Sequence, residues 1–308
     1  MQSLKSRIYY HVTKRAIARF RKLKLPIPQG RLAREQQSER LFRLPPGLSI
    51  EPCSVGGVTG EWLRPGVVDG NGLVLYLHGG AYIYGSTVTH RGIASRLAIA
   101  SRSPVLVINY RLAPEHPFPA GLDDAIAAYA SLQQAYPGKP IALAGDSAGG
   151  GLALALALKL KDDGLRAPSA LALLSPWTDL TLSNPTHILK ASVDPYFPDS
   201  GLLRAAAQAY AANTPLDDPY LSPQFADFSG MPATLIHVGE LEALLGDATL
   251  LAHNMSKCGK PAVLEVYTGM WHVWQTYVGR FREADASVTA LGEFLRNQSQ
   301  SPAAARTP

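Results

Sequence analysis

Ile141-Ala-Leu-Ala-Gly145-Asp146-Ser147-Ala148-Gly149-Gly150 runs an apolar, strand-like segment straight into a turn of small residues, and a helical stretch from Gly150 to Leu160 follows. A serine hydroxyl is a weak nucleophile unless the backbone holds it exposed and a base removes its proton. A Gly-x-Ser-x-Gly turn between strand and helix does the first of these jobs. The turn is too sharp for bulky neighbours, and Gly145, Ala148 and Gly149 are all small. The N–H of Ala148, just after the serine, then points toward the place where a tetrahedral oxyanion would form. Such a turn alone could be a simple strand-to-helix joint, so its partners decide the reading.

The first partner lies upstream. His78-Gly79-Gly80-Ala81-Tyr82 follows the apolar run Leu73–Leu77. A loop of small residues after a strand can turn successive N–H groups toward one point, which makes Gly79, Gly80, Ala81 and Ala148 the candidate oxyanion donors. Ala81 stands where such loops usually carry a third glycine, and it keeps its donor if its φ is negative. The second partner must be a base. In this arrangement the chain order is serine, acid, histidine. His11 lies in a basic N-terminal helix, His78 reads as a brace for the loop, and His90, His116 and His187 fall out of order or in loop-like stretches. His237 sits inside a strand and His253 within a helix. His272, in Gly269-Met-Trp-His-Val-Trp274, follows the strand-like run Val263–Tyr267, where an α/β sheet presents its chemistry. For the acid, Glu240, Glu242 and Asp247 all follow the run Thr234–Val238, and spacing does not choose among them.

With these pieces goes Tyr110-Arg-Leu-Ala-Pro-Glu-His-Pro-Phe-Pro-Ala120, and also Ser175-Pro-Trp-Thr-Asp-Leu180. From about residue 45 to 296 the set resembles the bacterial hormone-sensitive-lipase-like esterases. That resemblance implies an α/β-hydrolase fold, a mostly parallel sheet flanked by helices with a helical cap. It implies hydrolysis of small esters with short acyl chains. The family's Asp-Pro-Leu acid falls on Glu242, 95 positions after Ser147 and 30 before His272, with Ala243 in place of the proline. Asp247 remains the rival. The usual loop donors fall on Gly80 and Ala81. Residues 1–45 and 181–225 correspond to a cap, with 46–180 and 226–297 as the catalytic body. Tyr82, Trp177, Tyr196 and Phe197 are then candidate pocket walls. Acyl transfer of this kind calls for no cofactor and no metal. An amidase or deacetylase would use the same residues, whereas a binding protein on a dead hydrolase fold would lack one of them.

The wider sequence agrees. The chain has 308 residues, 46% hydrophobic and 17% charged, as a globular enzyme does. Short apolar runs at 73–78, 105–109, 141–144, 171–174, 234–238 and 263–267 alternate with helical stretches, which predicts a parallel sheet covered on both faces. A helix is expected over Gly201–Ala212, and a frayed tail over 298–308.

Charge is unevenly placed. Met1 to Arg34 holds ten Lys or Arg and no acid, whereas the remaining residues are net acidic. Ile8, Val12, Ala16, Phe20 and Leu23 recur about every four residues and place an apolar stripe on this basic helix. The simpler expectation is a cap helix with the stripe packed on the body and the basic face in water. Contact with an anionic membrane surface is the alternative. No signal segment or membrane span is read, and Cys53 and Cys258 form no framework, so a cytoplasmic location is expected. No nucleotide or nucleic-acid site is expected, and self-association stays open.

Overall fold

The six apolar runs become the parallel strands of one sheet; five are inner strands, and the run at 263–267 is an edge strand with Val263 and Val266 exposed, not covered on both faces as expected. The structure is a computed structural model and describes residues 2–69, 71–259 and 262–300. Its strands are β1 (Leu48–Val55), β2 (Val58–Pro65), β3 (Leu73–Leu77), β4 (Val105–Ile108), β5 (Ile141–Asp146), β6 (Leu171–Leu174), β7 (Thr234–Gly239) and β8 (Ala262–Tyr267). They lie in the order β1-β2-β4-β3-β5-β6-β7-β8. From β4 to β8 every pairing is parallel; β1 and β2 add an antiparallel edge.

That edge was not anticipated from the sequence. Glu51, Glu61 and Arg64 interrupt the apolar pattern, and much of β1 faces solvent. The hairpin turns at Gly56-Gly57, both with positive φ, the geometry that a two-residue turn between twisted strands requires.

The helices are α1 (Leu4–Lys22), α2 (Ile27–Leu41), α3 (Thr87–Ser101), α4 (Ala120–Ala135), α5 (Ala148–Asp162), α6 (Thr186–Leu189), α7 (Gly201–Ala211), α8 (Leu245–Lys257) and α9 (Arg282–Gln300). Successive strand residues point to opposite faces, so the sheet separates two cores. Leu75, Leu77, Leu143, Leu173 and Ile236 meet α4, α5 and α8 on one face. Val74, Tyr76, Val107, Ala144 and Leu235 meet Ile93 and Leu97 of α3 and Leu291 and Leu295 of α9 on the other. Because α9 reaches Gln300, residues 298–300 are helical and not a frayed tail; 301–308 lie outside the described residues.

Strand order reverses at β3, which has β4 on one side and β5 on the other. The ends of β3 and β5 therefore open a crevice at a topological switch point, where open α/β sheets bind their ligands. The small-residue loop leaves β3 and Ser147 leaves β5 at this crevice.

The N-terminal arm departs from expectation. The stripe expected to pack on the body largely faces outward: Ile8 is 53% exposed, Val12 47% and Leu23 61%, with only Phe20 half-buried. The inward face of α1 is instead Ser6, Tyr9, Tyr10 and Thr13. Tyr9 lies against Tyr277 and Phe281, and Tyr10 against Trp271. The Tyr277 hydroxyl is 2.6 Å from Thr13 Oγ1, and Ser3 donates through N and Oγ to Glu283. Aromatic area and hydrogen bonds offered by the loop after His272 capture the tyrosine face and leave the aliphatic one outside. Arg31 anchors α2 by donating to the carbonyls of Ile83 and Ala113 and, bidentately, to Glu115.

Candidate active site

Ser147 occupies φ +53° and ψ −123°, a conformation costing a side-chain-bearing residue about 1–3 kcal/mol. The neighbouring strand holds it there. Its N–H donates to Leu174 O at 2.8 Å, and its carbonyl accepts from Trp177 N at 2.9 Å and Gly151 N at 3.1 Å. A Cβ on Gly149 would lie 2.0 Å from Leu77 O, and one on Gly145 would lie 2.4 Å from Gly149 O, so the elbow closes only without side chains at both places. The strain is thus fixed by backbone that cannot yield.

His272 Nε2 lies 2.9 Å from Ser147 Oγ, and its Nδ1 lies 2.8 Å from Glu242 Oε2. All three side chains are buried. Three separate strand ends, those of β5, β7 and β8, thus deliver one hydrogen-bonded line. The other carboxylate oxygen of Glu242 accepts from Gly239 N and from Ser175 Oγ, the latter at 2.8 Å. Burial disfavours a charged imidazole, but the hydrogen bond and charge of Glu242, reinforced by Asp194 and Asp146, outweigh it and hold His272 above its ordinary value of 6.5.

The rival acids are otherwise engaged. Asp247 accepts from the backbone N–H groups of Thr178 and Asp179 and from Asn184 Nδ2, and it pairs with His187 Nε2 at 2.8 Å, at the base of the segment 181–225. Glu240 accepts from Gly269 N at 2.9 Å and so braces the start of the histidine loop.

The loop after β3 corrects two expectations. The N–H of Gly79 donates to Asp146 Oδ1 at 3.0 Å, so it is not free to serve as an oxyanion donor; it ties the loop to the residue before Ser147. Tyr76 Oη donates to the same oxygen at 2.8 Å. Ala81 has φ +55°, not the negative value assumed for a tolerated alanine, and it carries a strain that glycine would escape. Among the described residues the N–H groups of Gly80, Ala81 and Ala148 make no backbone hydrogen bond of their own at the turn. His78 behind them is fully buried, stacked on Tyr110 at 4.3 Å, and pushed down to about 3, chiefly by burial. It is a neutral brace.

Of the four aromatic residues read as pocket walls, the structure brings two to the imidazole. The Phe197 ring lies 4.8 Å from the His272 ring and that of Tyr196 lies 5.7 Å from it. Tyr82 and Trp177 are core residues instead; Tyr82 stacks face to face on Tyr210 at 3.8 Å, and Trp177 Nε1 donates to Asp179 O.

Two residues were missed. Ser175 sits at φ +46° and its hydroxyl joins Glu242 to Val273 N, fixing acid loop and histidine loop together. It opens Ser175-Pro-Trp-Thr-Asp-Leu180, so the motif was visible but its bridging role was not. Asp194 is almost fully buried. It accepts from Ala243 N at 2.8 Å on one oxygen and from Tyr196 N on the other, coupling the segment over the site to the residue after Glu242. Burial pushes its carboxyl up to about 6, against the opposing pull of His272. A lone aspartate in an irregular stretch gives no sequence signal for this.

A family model for the alpha/beta hydrolase fold matches residues 74–276. The chain belongs to the α/β-hydrolase fold family. An acetyl-hydrolase of Streptomyces hygroscopicus is 40% identical over 85% of this chain and 87% of its own. An esterase of Acinetobacter venetianus is 35% identical over 83% and 84%. Among solved structures, an esterase from the bacterial hormone-sensitive lipase family superposes with a TM-score of 0.88 at 34% identity, covering 97% of this chain and 99% of that one. A hormone-sensitive lipase from a metagenome library gives 0.90 at 36%, covering 96% and 98%. The resemblance read from the motifs is therefore the family's own. Among the described residues no group of side chains is arranged to hold a metal ion, and no helix is long and apolar enough to cross a membrane.

Two outcomes are expected. Glu242→Gln should lower kcat by about 10³–10⁴ and move the acidic limb of the kcat/KM profile to lower pH, because the base must be neutral and loses the group that raises it. Asp247→Asn should lower the melting temperature while the folded protein keeps its limb and most of its kcat; a reversed pattern would make Asp247 the acid. At the loop, Ala81→Gly should keep kcat within a few-fold. Ala81→Val, β-branched at a positive φ, should cost about 10² in kcat, and an unaffected Ala81→Val enzyme would remove this residue from the oxyanion site.

Proposed function

We propose that this chain is a serine carboxylesterase that hydrolyses short-chain acyl esters through a covalent acyl-enzyme. One observation carries the reading: His272 stands within hydrogen-bond reach of both Ser147 and the buried Glu242. As Ser147 Oγ attacks the ester carbonyl, His272 Nε2 takes its proton, and Glu242 holds the ring at Nδ1 and stabilises the imidazolium. The carbonyl oxygen becomes an oxyanion, received by the N–H groups of Gly80, Ala81 and Ala148. Collapse of the tetrahedral species breaks the C–O bond, with the proton passing from His272 to the departing alcohol. Water then repeats the sequence on the acyl-Ser147 ester and frees the acid.

Residues 1–45 and 181–225 form the cap in this reading, over a body of residues 46–180 and 226–297. Tyr196 and Phe197 reach the catalytic imidazole from the cap, and rings so close to the reacting centre leave room for a small acyl group. The names of the relatives, acetyl-hydrolase and esterase, support the same substrate class. All three triad side chains are present and hydrogen-bonded, which favours catalysis over a binding role on this fold.

A p-nitrophenyl ester series from acetate to palmitate, with Ser147→Ala as control, tests the proposal. Turnover should be highest at acetate to butyrate and disappear in the control. Turnover that survives Ser147→Ala, or none on any ester, would sink the reading.

A further inference from the structure

The outward face of α1 has no explanation in catalysis or packing. Leu4 is 71% exposed, Ile8 53% and Val12 47%, and these residues are spaced four apart so that they form one ridge. Around and beyond them Lys5, Arg7, Arg15, Arg19, Lys22 and Lys24 are all exposed. None of these six makes an ion pair among the described residues. The cations of the arm that do have partners point elsewhere: Arg21 to Asp199 and Arg31 to Glu115, while Arg34 lies over the rings of Phe20 and Tyr84.

The face is held in place. The tyrosine side of α1 is fixed to the body, Tyr10 Oη donates to Val193 O at 2.7 Å, and Lys14 Nζ reaches Ser192 O. The helix therefore cannot roll to bury its aliphatic ridge without giving up those bonds. A few residues before Ser192, α6 presents Ile188 and Leu189, 75% and 72% exposed, as a second apolar pair on the segment that carries Tyr196 and Phe197.

We propose that the outward face of α1 is a docking surface for an anionic lipid bilayer, with Leu4, Ile8 and Val12 entering the headgroup region and the unpaired cations meeting lipid phosphates. Charge selects this occupant. A soluble apolar partner would explain the ridge but not six unpaired cations beside it, and a second copy of the same cationic face would repel this one. A basic face with an aliphatic ridge is the pattern that binds an interface in its plane, by apolar burial added to attraction for anionic lipid. Docking would hold the cap, and the segment over Ser147, against the phase in which apolar esters dissolve.

Co-sedimentation of the full chain with phosphatidylglycerol–phosphatidylcholine vesicles, equimolar, and with pure phosphatidylcholine vesicles reads binding without reference to turnover. Partition should favour the anionic vesicles at least about tenfold and weaken in 0.5 M NaCl, where screening shortens to a few ångströms. Ile8→Ser with Val12→Ser, and separately Arg15→Gln with Arg19→Gln and Lys22→Gln, should each lower partition about tenfold or more. Their p-nitrophenyl acetate turnover should match the parent and report an intact fold. No partition, equal partition into both vesicles, or partition unchanged in both variants would overturn the proposal. So would a concentration-dependent dimer lost in the Ile8→Ser, Val12→Ser variant, which would give the face to a second copy.

Discussion

The reversal of the chain at Ser147 is the constraint on which the rest of the site depends. Strand β5 must end, turn and begin α5 within a space in which neither Gly145 nor Gly149 has room for a Cβ, and the serine is left at a positive φ. That cost is met by three backbone hydrogen bonds, to Leu174 of β6, to Gly151 of α5 and to Trp177, a fully buried residue in the stretch that follows β6. The same turn places Asp146 under the loop after β3, where its carboxylate takes the Gly79 N–H. One short stretch therefore positions Ser147 and also registers the loop after β3 against it.

Glu242 and His272 are organised by a second, smaller network. Glu242 is wholly buried, a state that is costly for a carboxylate unless it is hydrogen-bonded. His272, Ser175 and Gly239 supply those bonds, and Ser175 reaches on to Val273, so the loops carrying Glu242 and His272 are held by one hydroxyl. Asp194 then fastens the overlying segment to Ala243, directly after the acid. The aromatic residues that close on His272 are thereby tied to the carboxylate that orients it. The segment over His272 and the hydrogen-bonded line of Ser147, His272 and Glu242 are mechanically linked.

Much of this is legible in the sequence. Strands β3 to β7 were visible because a parallel strand buried on both faces is a continuous apolar run; β8 showed the same run although it is an edge strand half in water, and Ser147 and His272 were visible because chain order and strand ends restrict where each can stand. Glu242 was not separable from Asp247 and Glu240 by spacing; only the distribution of their hydrogen bonds separates them. The hairpin of β1 and β2 escaped because an edge strand half in water alternates with charges. The face of α1 that packs was misjudged for a clear reason. Helical periodicity finds the aliphatic stripe, but which stripe is buried depends on the opposing surface, here Trp271, Tyr277 and Phe281, which prefer Tyr9 and Tyr10. Gly79 and Ala81 likewise depended on single backbone angles and single N–H directions that residue type does not encode.

The most direct measurement is covalent capture of the nucleophile. The protein would be treated with a fluorophosphonate, which phosphonylates a serine only where a base and an oxyanion site act together, and its peptides read by mass spectrometry. The account requires one adduct per chain, on the peptide containing Ser147, formed more slowly as pH falls through the raised His272 titration and absent in Glu242→Gln on the same timescale. An adduct on another residue, or equal labelling with and without the Glu242 carboxylate, would contradict it.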